Sequence, residues 1–320
     1  MKDPLAAVLD AGGDALRHLI ARTEERLTTI SAGHGEVLAG FAIDTLSAGG
    51  KRLRPMLVFI AGDAGSDDLV RAGAAVELLH MATLVHDDVL DRAALRRGRP
   101  TVFARGGAAA ATATGDLLFS RAFAELTQTG SADAVRVLSS ASSALARGEL
   151  IQREDAWSGA VTPARYLERC ELKTARLFEA ACRLGALLGR PGPAAADGLG
   201  TFGSRIGVAF QIFDDVLDVS GPTERTGKPR GADLLDGTVT LPLILAREHD
   251  SSLQQLDVRD SADAEEVCDR IAATGALAEA RDEALRYVAE AKSVLDGIEL
   301  GERQRTTLEL VADSVVERYS

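Results

Sequence analysis

The chain of 320 residues predicts an all-α fold. Alanine, leucine, arginine and glutamate dominate it, aromatic residues are only 4%, and apolar positions recur mostly three and four residues apart. That spacing paints one face of a helix, and the alternation of a half-buried strand is hard to find. In chain order, helices are expected over Leu5–Ser31, His34–Ala48 and Arg54–Ala64. The next, Ser66–Leu90 (SDDLVRAGAAVELLHMATLVHDDVL), opens on a Ser/Asp capping signal and is apolar nearly all round, as a helix buried at the centre of a bundle should be. Thr112–Thr127, Ala132–Gln152, Pro163–Leu188, Leu199–Val219, Leu241–Glu248, Ala262–Thr274, Ala276–Leu295 and Gly301–Arg318 complete the set.

Arg190-Pro191-Gly192-Pro193 has the composition of a linker. A cut there would separate two acidic motifs that belong together, so one domain over residues 1–320 is expected. The stretch Ser220–Thr240 (SGPTERTGKPRGADLLDGTVT) is rich in Gly, Pro and charge, and is longer than an ordinary connection. Loops of that length are usually lids or disordered.

With 36 basic and 48 acidic residues the formal charge is −12, which argues against gripping nucleic acid through bulk positive charge. An anionic ligand must be held by a local basic cluster or by metal ions. Three cysteines, Cys170, Cys182 and Cys268, without close Cys/His spacing, fit neither a disulfide framework nor a structural zinc site. Asp3, Asp10 and Asp14 interrupt what a signal peptide would need, and no run approaches ~18 apolar residues. A soluble cytoplasmic protein is expected.

The sequence DDVLD occurs at Asp87–Asp91 and again at Asp214–Asp218. In each copy the first and last Asp share a helix face, while the second is displaced by about 100°. Both copies close a strongly apolar helix, where the dipole disfavours anions, so the acids cost folding stability. A single copy would read as a solvated helix end; two identical copies favour a pair of carboxylate claws. Converging across a cavity, they would offer oxygen ligands to hard cations, and magnesium fits because it completes its shell with water and substrate phosphate. Calcium without phosphate is the alternative, although no EF-hand loop is present.

Basic residues flank the first claw: Lys51, Arg52 and Arg54 in GGKRLRP, then Arg92, Arg96, Arg97, Arg99 and Arg105. Solvated surface charge is the ordinary reading of such clusters, but next to a metal-type claw they read as phosphate ligands. Lys173 in ELKTA and Lys228 in TGKPRG extend the set.

Taken in order, GGKRLRP, HDDVLD with RRGRPT, ELKTA, FQIFDDVLD and GKPRGADL with TLP span roughly residues 49–242 and resemble the trans-polyprenyl (isoprenyl) diphosphate synthases. The resemblance implies an isoprenoid synthase fold, a bundle of long antiparallel helices around a central cavity, normally a homodimer. It implies head-to-tail condensation of isopentenyl diphosphate onto an allylic diphosphate with Mg2+. By the same resemblance, Asp87, Asp88 and Asp91 form the first aspartate-rich motif and Asp214, Asp215 and Asp218 the second. Asp87, Asp91 and Asp214 are the foremost metal ligands. Lys51, Arg54, His80 and Arg97 match the isopentenyl diphosphate site, and Arg96, Lys173 and Lys228 the grip on the allylic diphosphate. Thr174 and Gln211 match polar residues at the reacting centre. One departure is Thr238, where the family commonly has a second lysine.

Pre-placed cations would neutralise the departing diphosphate, and an apolar cavity under a closing lid would keep water from the carbocation. No strong side-chain base is evident, so the released diphosphate is expected to take the proton. His86 reads as a supporting residue of the first claw. Ala82 lies five residues before Asp87, ~7.5 Å deeper along the helix; alanine there, with Thr83 beside it, leaves room for growth. Leu79, Leu78 and Ala75 lie further down, and Phe119 and Phe123 are candidates for a floor. Hexaprenyl to decaprenyl products are therefore favoured over geranylgeranyl or farnesyl. The rivals are a terpene cyclase, which a second DDVLD disfavours, and a non-catalytic subunit of a heteromeric prenyl synthase, which two whole claws disfavour.

Overall fold

The computed structural model describes residues 5–47, 50–96, 98–221, 230–254, 256, 258 and 260–317. At its centre lies α4 (Asp67–Leu90), capped by the Ser66 hydroxyl, which accepts from the amide of Leu69. Because α4 is apolar on all sides, it is enclosed on all sides: residues from Leu69 to Asp88 are buried around its whole circumference. Around it stand α1 (Ala6–Ser31), α3 (Leu53–Gly62), α5 (Val102–Thr127) and α8 (Arg176–Leu188), with α2 (Glu36–Ser47) against α5. Next, α6 (Ala132–Glu154) packs on α8, as does α9 (Pro193–Ser220). The later helices are α10 (Ala232–Leu235), α11 (Leu241–His249), α12 (Ser261–Ala273), α13 (Ala276–Leu295) and α14 (Glu302–Glu317); α13 lies along α9. No helix among the described residues is long and apolar enough to cross a membrane.

Several boundaries differ from expectation. The helix expected from Thr112 begins at Val102, because the Thr101 hydroxyl caps it by accepting from the Ala104 amide; the chain then kinks at Gly107, whose φ is 75°. Its early turns, FARGGAAAATA, lack the polar contrast that marks a helix face. Two-residue strands, β1 (Leu95–Arg96) and β2 (Arg99–Pro100), form a small antiparallel hairpin between α4 and α5. The linker-like Arg190–Pro193 is a tight turn: Gly192 adopts a φ of 70° and Pro193 opens α9 six residues earlier than expected. One apolar cluster, from Leu5 to Val315, continues across that turn. The helix expected over Pro163–Leu188 is α7 (Pro163–Cys170) and α8 joined by a π-helical turn, Glu171–Ala175.

Arg52 fixes the start of α3. It sits at φ 49°, buried, with Nη1 donating to Glu77 at 2.6 Å, Nη2 donating to the Leu46 carbonyl at 3.0 Å, and a further ion pair to Glu24. Glu77 is itself buried in α4, so Arg52→Met strands a buried carboxylate. A loss of about 3–5 kcal/mol is expected, read as a lower thermal midpoint; a loss under about 1 kcal/mol would mean the pair exchanges freely with water.

Candidate active site

A cavity of about 660 Å3 opens where the C-terminal ends of α4 and α9 face α6 and the π turn. From α4 it receives Asp87 and Asp91, one turn apart, with His80, Thr83 and Leu79 below them. From α9 come Asp214, Asp215, Gln211 and Phe210, and from the π turn Lys173 and Thr174. Arg54, Arg96 and Phe119 also line it. Both DDVLD copies thus reach one cavity, with charge at its rim and apolar side chains along its wall.

The six aspartates are not equivalent. Asp87 is half-buried, and desolvation pushes its pKa up to about 6, against the opposing pull of Lys173. Asp91 pairs with Arg153 at 2.5 Å. Asp88, displaced around α4 as its spacing requires, is held by Arg96 at 2.7 Å and lies against a smaller pocket of about 330 Å3 on the other side of the helix. Asp214 is exposed at the rim, whereas Asp215 is buried, accepting from the Tyr166 hydroxyl at 2.6 Å and from Gln211 Nε2 at 2.7 Å. Burial first, then the neighbouring Asp233 charge, raises the Asp215 pKa well above the carboxylate range. Asp218 accepts from the Asp233 amide at 3.2 Å and so caps the start of α10 rather than lining the cavity. Among the described residues no three acids, histidines or cysteines converge closely enough to hold an ion.

Thr174 is oriented by a chain of bonds. Gln211 directs its amide nitrogen to Asp215, which leaves Oε1 for Thr174, so the Thr174 hydroxyl donates to it at 2.7 Å. With its proton engaged, that oxygen offers only lone pairs in other directions. Lys173 Nζ pairs with Glu149 and donates to Gln152 at 3.2 Å. Glu149, Gln152 and Arg153, none singled out from the sequence, share one face of α6, and that i, i+3, i+4 polar stripe was the available signal. Lys173 and Arg153 hold the Glu149 pKa below its usual value even though burial pushes the other way.

Close packing positions the π turn. A Cβ on Gly148 would stand 2.5 Å from the Lys173 amide nitrogen, and one on Gly207 2.5 Å from Ala175 Cα, so glycine on α6 and α9 is what lets the turn settle between them. An extra residue per turn of this kind is rare and recurs at functional sites.

Other expectations fall elsewhere. Arg54 lines the cavity with its guanidinium 4.6 Å over the Phe178 ring. Lys51 instead opens on a separate pocket against α1. Arg97 and Lys228 lie outside the described residues. Ala82 is fully buried and does not line the cavity; Thr83 does. Five residues before Asp87 is about 140° around the helix and four residues only about 40°, so Thr83 rather than Ala82 shares the face of Asp87. Leu78 and Ala75 are likewise core, and Phe123 stands behind Phe119, ring centroids 5.2 Å apart.

A family model described as Polyprenyl synthetase matches residues 36–274. The chain belongs to that family. As a polyprenyl synthetase it is a prenyltransferase with the isoprenoid synthase fold. Over 291 residues it is 39% identical to the heptaprenyl diphosphate synthase component 2 of Geobacillus stearothermophilus, covering 88% of this chain and 91% of the relative. It is 36% identical over 284 residues to the geranylgeranyl diphosphate synthase of Methanosarcina mazei, covering 85% and 87%. The crystal structure of a polyprenyl synthase from Caulobacter crescentus, complexed with calcium and isoprenyl diphosphate, superposes with a TM-score of 0.85 at 35% identity, covering 96% of this chain and 98% of that one.

The Asp87 pKa carries a stability consequence. Folding raises it from 3.8 to about 6, so the folded chain binds more protons between those values and its stability falls as pH rises through that window. Asp87→Asn is therefore expected to raise stability by about 1–3 kcal/mol at pH 7–8, with the gap closing near pH 4 in denaturant melts of metal-free protein. A variant less stable than the parent at neutral pH would show that the carboxylate is structurally required.

Proposed function

We propose that the protein condenses isopentenyl diphosphate head-to-tail with an allylic diphosphate, giving an all-trans polyprenyl diphosphate. The observation that carries this reading is one cavity in which carboxylates from both DDVLD copies face Arg54, Arg96 and Lys173 above an apolar wall. Asp87, Asp91 and Asp214 line that cavity without converging on one point; they offer only oxygen donors, the chemistry that a hard divalent cation completes with water and substrate phosphate. Magnesium, when bound, would supply charge neutralisation at the departing diphosphate. Asp215 supports Gln211 and Thr174 through the bonds described above.

Arg96 and Lys173 would hold the allylic diphosphate, with Lys228 and Arg97 expected to assist from outside the described residues. Their present partners are the carboxylates of Asp88 and Glu149, and an incoming diphosphate, richer in charge and in acceptor oxygens, would compete with these acids for the same cations. Arg54 and His80 would face isopentenyl diphosphate. The walls formed by Leu79, Leu145, Leu177 and Phe210 would exclude water while the allylic C–O bond ionises, and the Thr174 lone pairs would stabilise the positive charge that develops. Attack by the isopentenyl double bond forms the new C–C bond, and the released diphosphate accepts the proton that is then lost.

Thr83 and Leu79, one turn apart, make one side of the cavity, and Phe119 backed by Phe123 another. The small Thr83 supports a product of hexaprenyl to decaprenyl length over geranylgeranyl or farnesyl. We also read the protein as a cytoplasmic homodimer, as the family resemblance implies. A second reading, in which turnover needs another subunit, is favoured by the Geobacillus relative being a component 2.

Pure protein given isopentenyl diphosphate, farnesyl diphosphate and Mg2+ is expected to yield elongated products, identified by chromatography after dephosphorylation, with chelator abolishing turnover. No product from pure protein, with turnover appearing on adding cell extract, would move the conclusion to the two-subunit reading. Thr83→Phe is expected to shorten the product. Ala82→Phe should instead overpack the core at a cost of about 1–3 kcal/mol. An unchanged distribution in Thr83→Phe would remove Thr83 from the length-determining wall.

A further inference from the structure

Arg169 on α7 is buried, 4% exposed. Nη2 donates to the Val239 carbonyl at 2.7 Å, Cζ lies 5.2 Å from the centre of the Tyr166 ring, and Nη1 is buried with no hydrogen-bond partner among the described residues. No carboxylate among the described residues forms an ion pair with it. Asp215 lies close enough to feel its charge, but accepts from Tyr166 and Gln211 instead. A buried cation left this way is costly unless an anion shares its site.

The surroundings indicate which anion. Arg169 lines the catalytic cavity together with Thr238, Asp233 and Asp236, and its bond to Val239 fixes it beside Thr238. Thr238 is the position where the family resemblance leads one to expect a lysine and where this chain has a neutral hydroxyl. The wall therefore carries its charge one residue away, delivered from α7 instead of from the turn after α10.

We propose that Arg169 is a positioning cation for the allylic diphosphate, supplying from α7 the charge that residue 238 does not. The proposal rests on the reading that this cavity takes an allylic diphosphate. Because Nη1 is covered, Arg169 acts on the diphosphate through its charge from the cavity wall rather than through a bond from that nitrogen.

The test compares the full chain with Arg169→Gln, Arg169→Lys and the double variant Arg169→Gln/Thr238→Lys, by steady-state kinetics and by calorimetric binding of inorganic pyrophosphate with Mg2+. Arg169→Gln is expected to raise KM for farnesyl diphosphate and Kd for pyrophosphate about ten- to a hundredfold, with KM for isopentenyl diphosphate nearly unchanged. Arg169→Lys should keep most of the affinity, and Thr238→Lys should recover most of what Arg169→Gln loses. Unchanged pyrophosphate affinity overturns the proposal. So does a loss shared equally by both substrates, accompanied by a lower thermal midpoint and not recovered by Thr238→Lys, since that is the behaviour of a strut holding Val239. Should Arg169→Gln fail to fold, the double variant decides alone: tight pyrophosphate binding supports the proposal, and weak binding or misfolding overturns it. A parent protein that binds pyrophosphate through Arg169 yet makes no polyprenyl product would leave this inference standing while the proposed function fell.

Discussion

Asp87 stands at the C-terminal end of a helix buried along most of its length, where desolvation and the helix dipole both oppose its charge. Asp91, Glu149, Asp214 and Asp215 face the same cavity. Much of the site's local architecture answers that concentration of negative charge. Arg153 is drawn to Asp91, Lys173 to Glu149 and Arg96 to Asp88, while Asp215 is enclosed by neutral donors. Of these pairs Arg153–Asp91 is partly exposed on both sides, whereas Asp88 is buried and Glu149 largely covered. A site held together this way keeps its cations in place.

Precision comes from a different source. Thr174, Gln211, Asp215 and Tyr166 are joined in one buried chain spanning the π turn, α9 and α7. Each donor leaves its neighbour a single remaining role, so the direction of the Thr174 hydroxyl follows from an aspartate two partners away. Glycines at 148 and 207 let the backbone carrying Thr174 lie against two helices at once. Rim and interior are thus built on different terms, ion pairs above and a saturated network below.

The sequence made α4 legible to the residue, because a capped helix that is apolar on every side has only one place in a bundle. Both aspartate motifs were legible for a related reason: acids placed where they cost stability need an explanation beyond solvation. The start of α5 was not, since a run of small residues gives no contrast between faces. The π turn left no trace either, because one added residue shifts the apolar period by less than the error in locating a helix boundary. Ala82 was read by depth along the helix, and its azimuth, which depth does not give, turns it into the core. Glu149 was overlooked because an acid and an arginine on a helix usually mean a solvated face, and only the approach of Lys173 makes them part of the cavity.

The π turn also bears on how this architecture tolerates change in chain length. A regular helix over Pro163–Leu188 would carry one residue fewer between its two apolar stripes, with each stripe still facing its own neighbours. Loss of a single residue within 171–175 would thus be absorbed as a local rewinding by about 100°, leaving the bundle closed while Lys173 and Thr174 swing off the cavity wall. Catalytic geometry and foldability are separable at this one spot, where a lesion could leave a well-folded but inert chain.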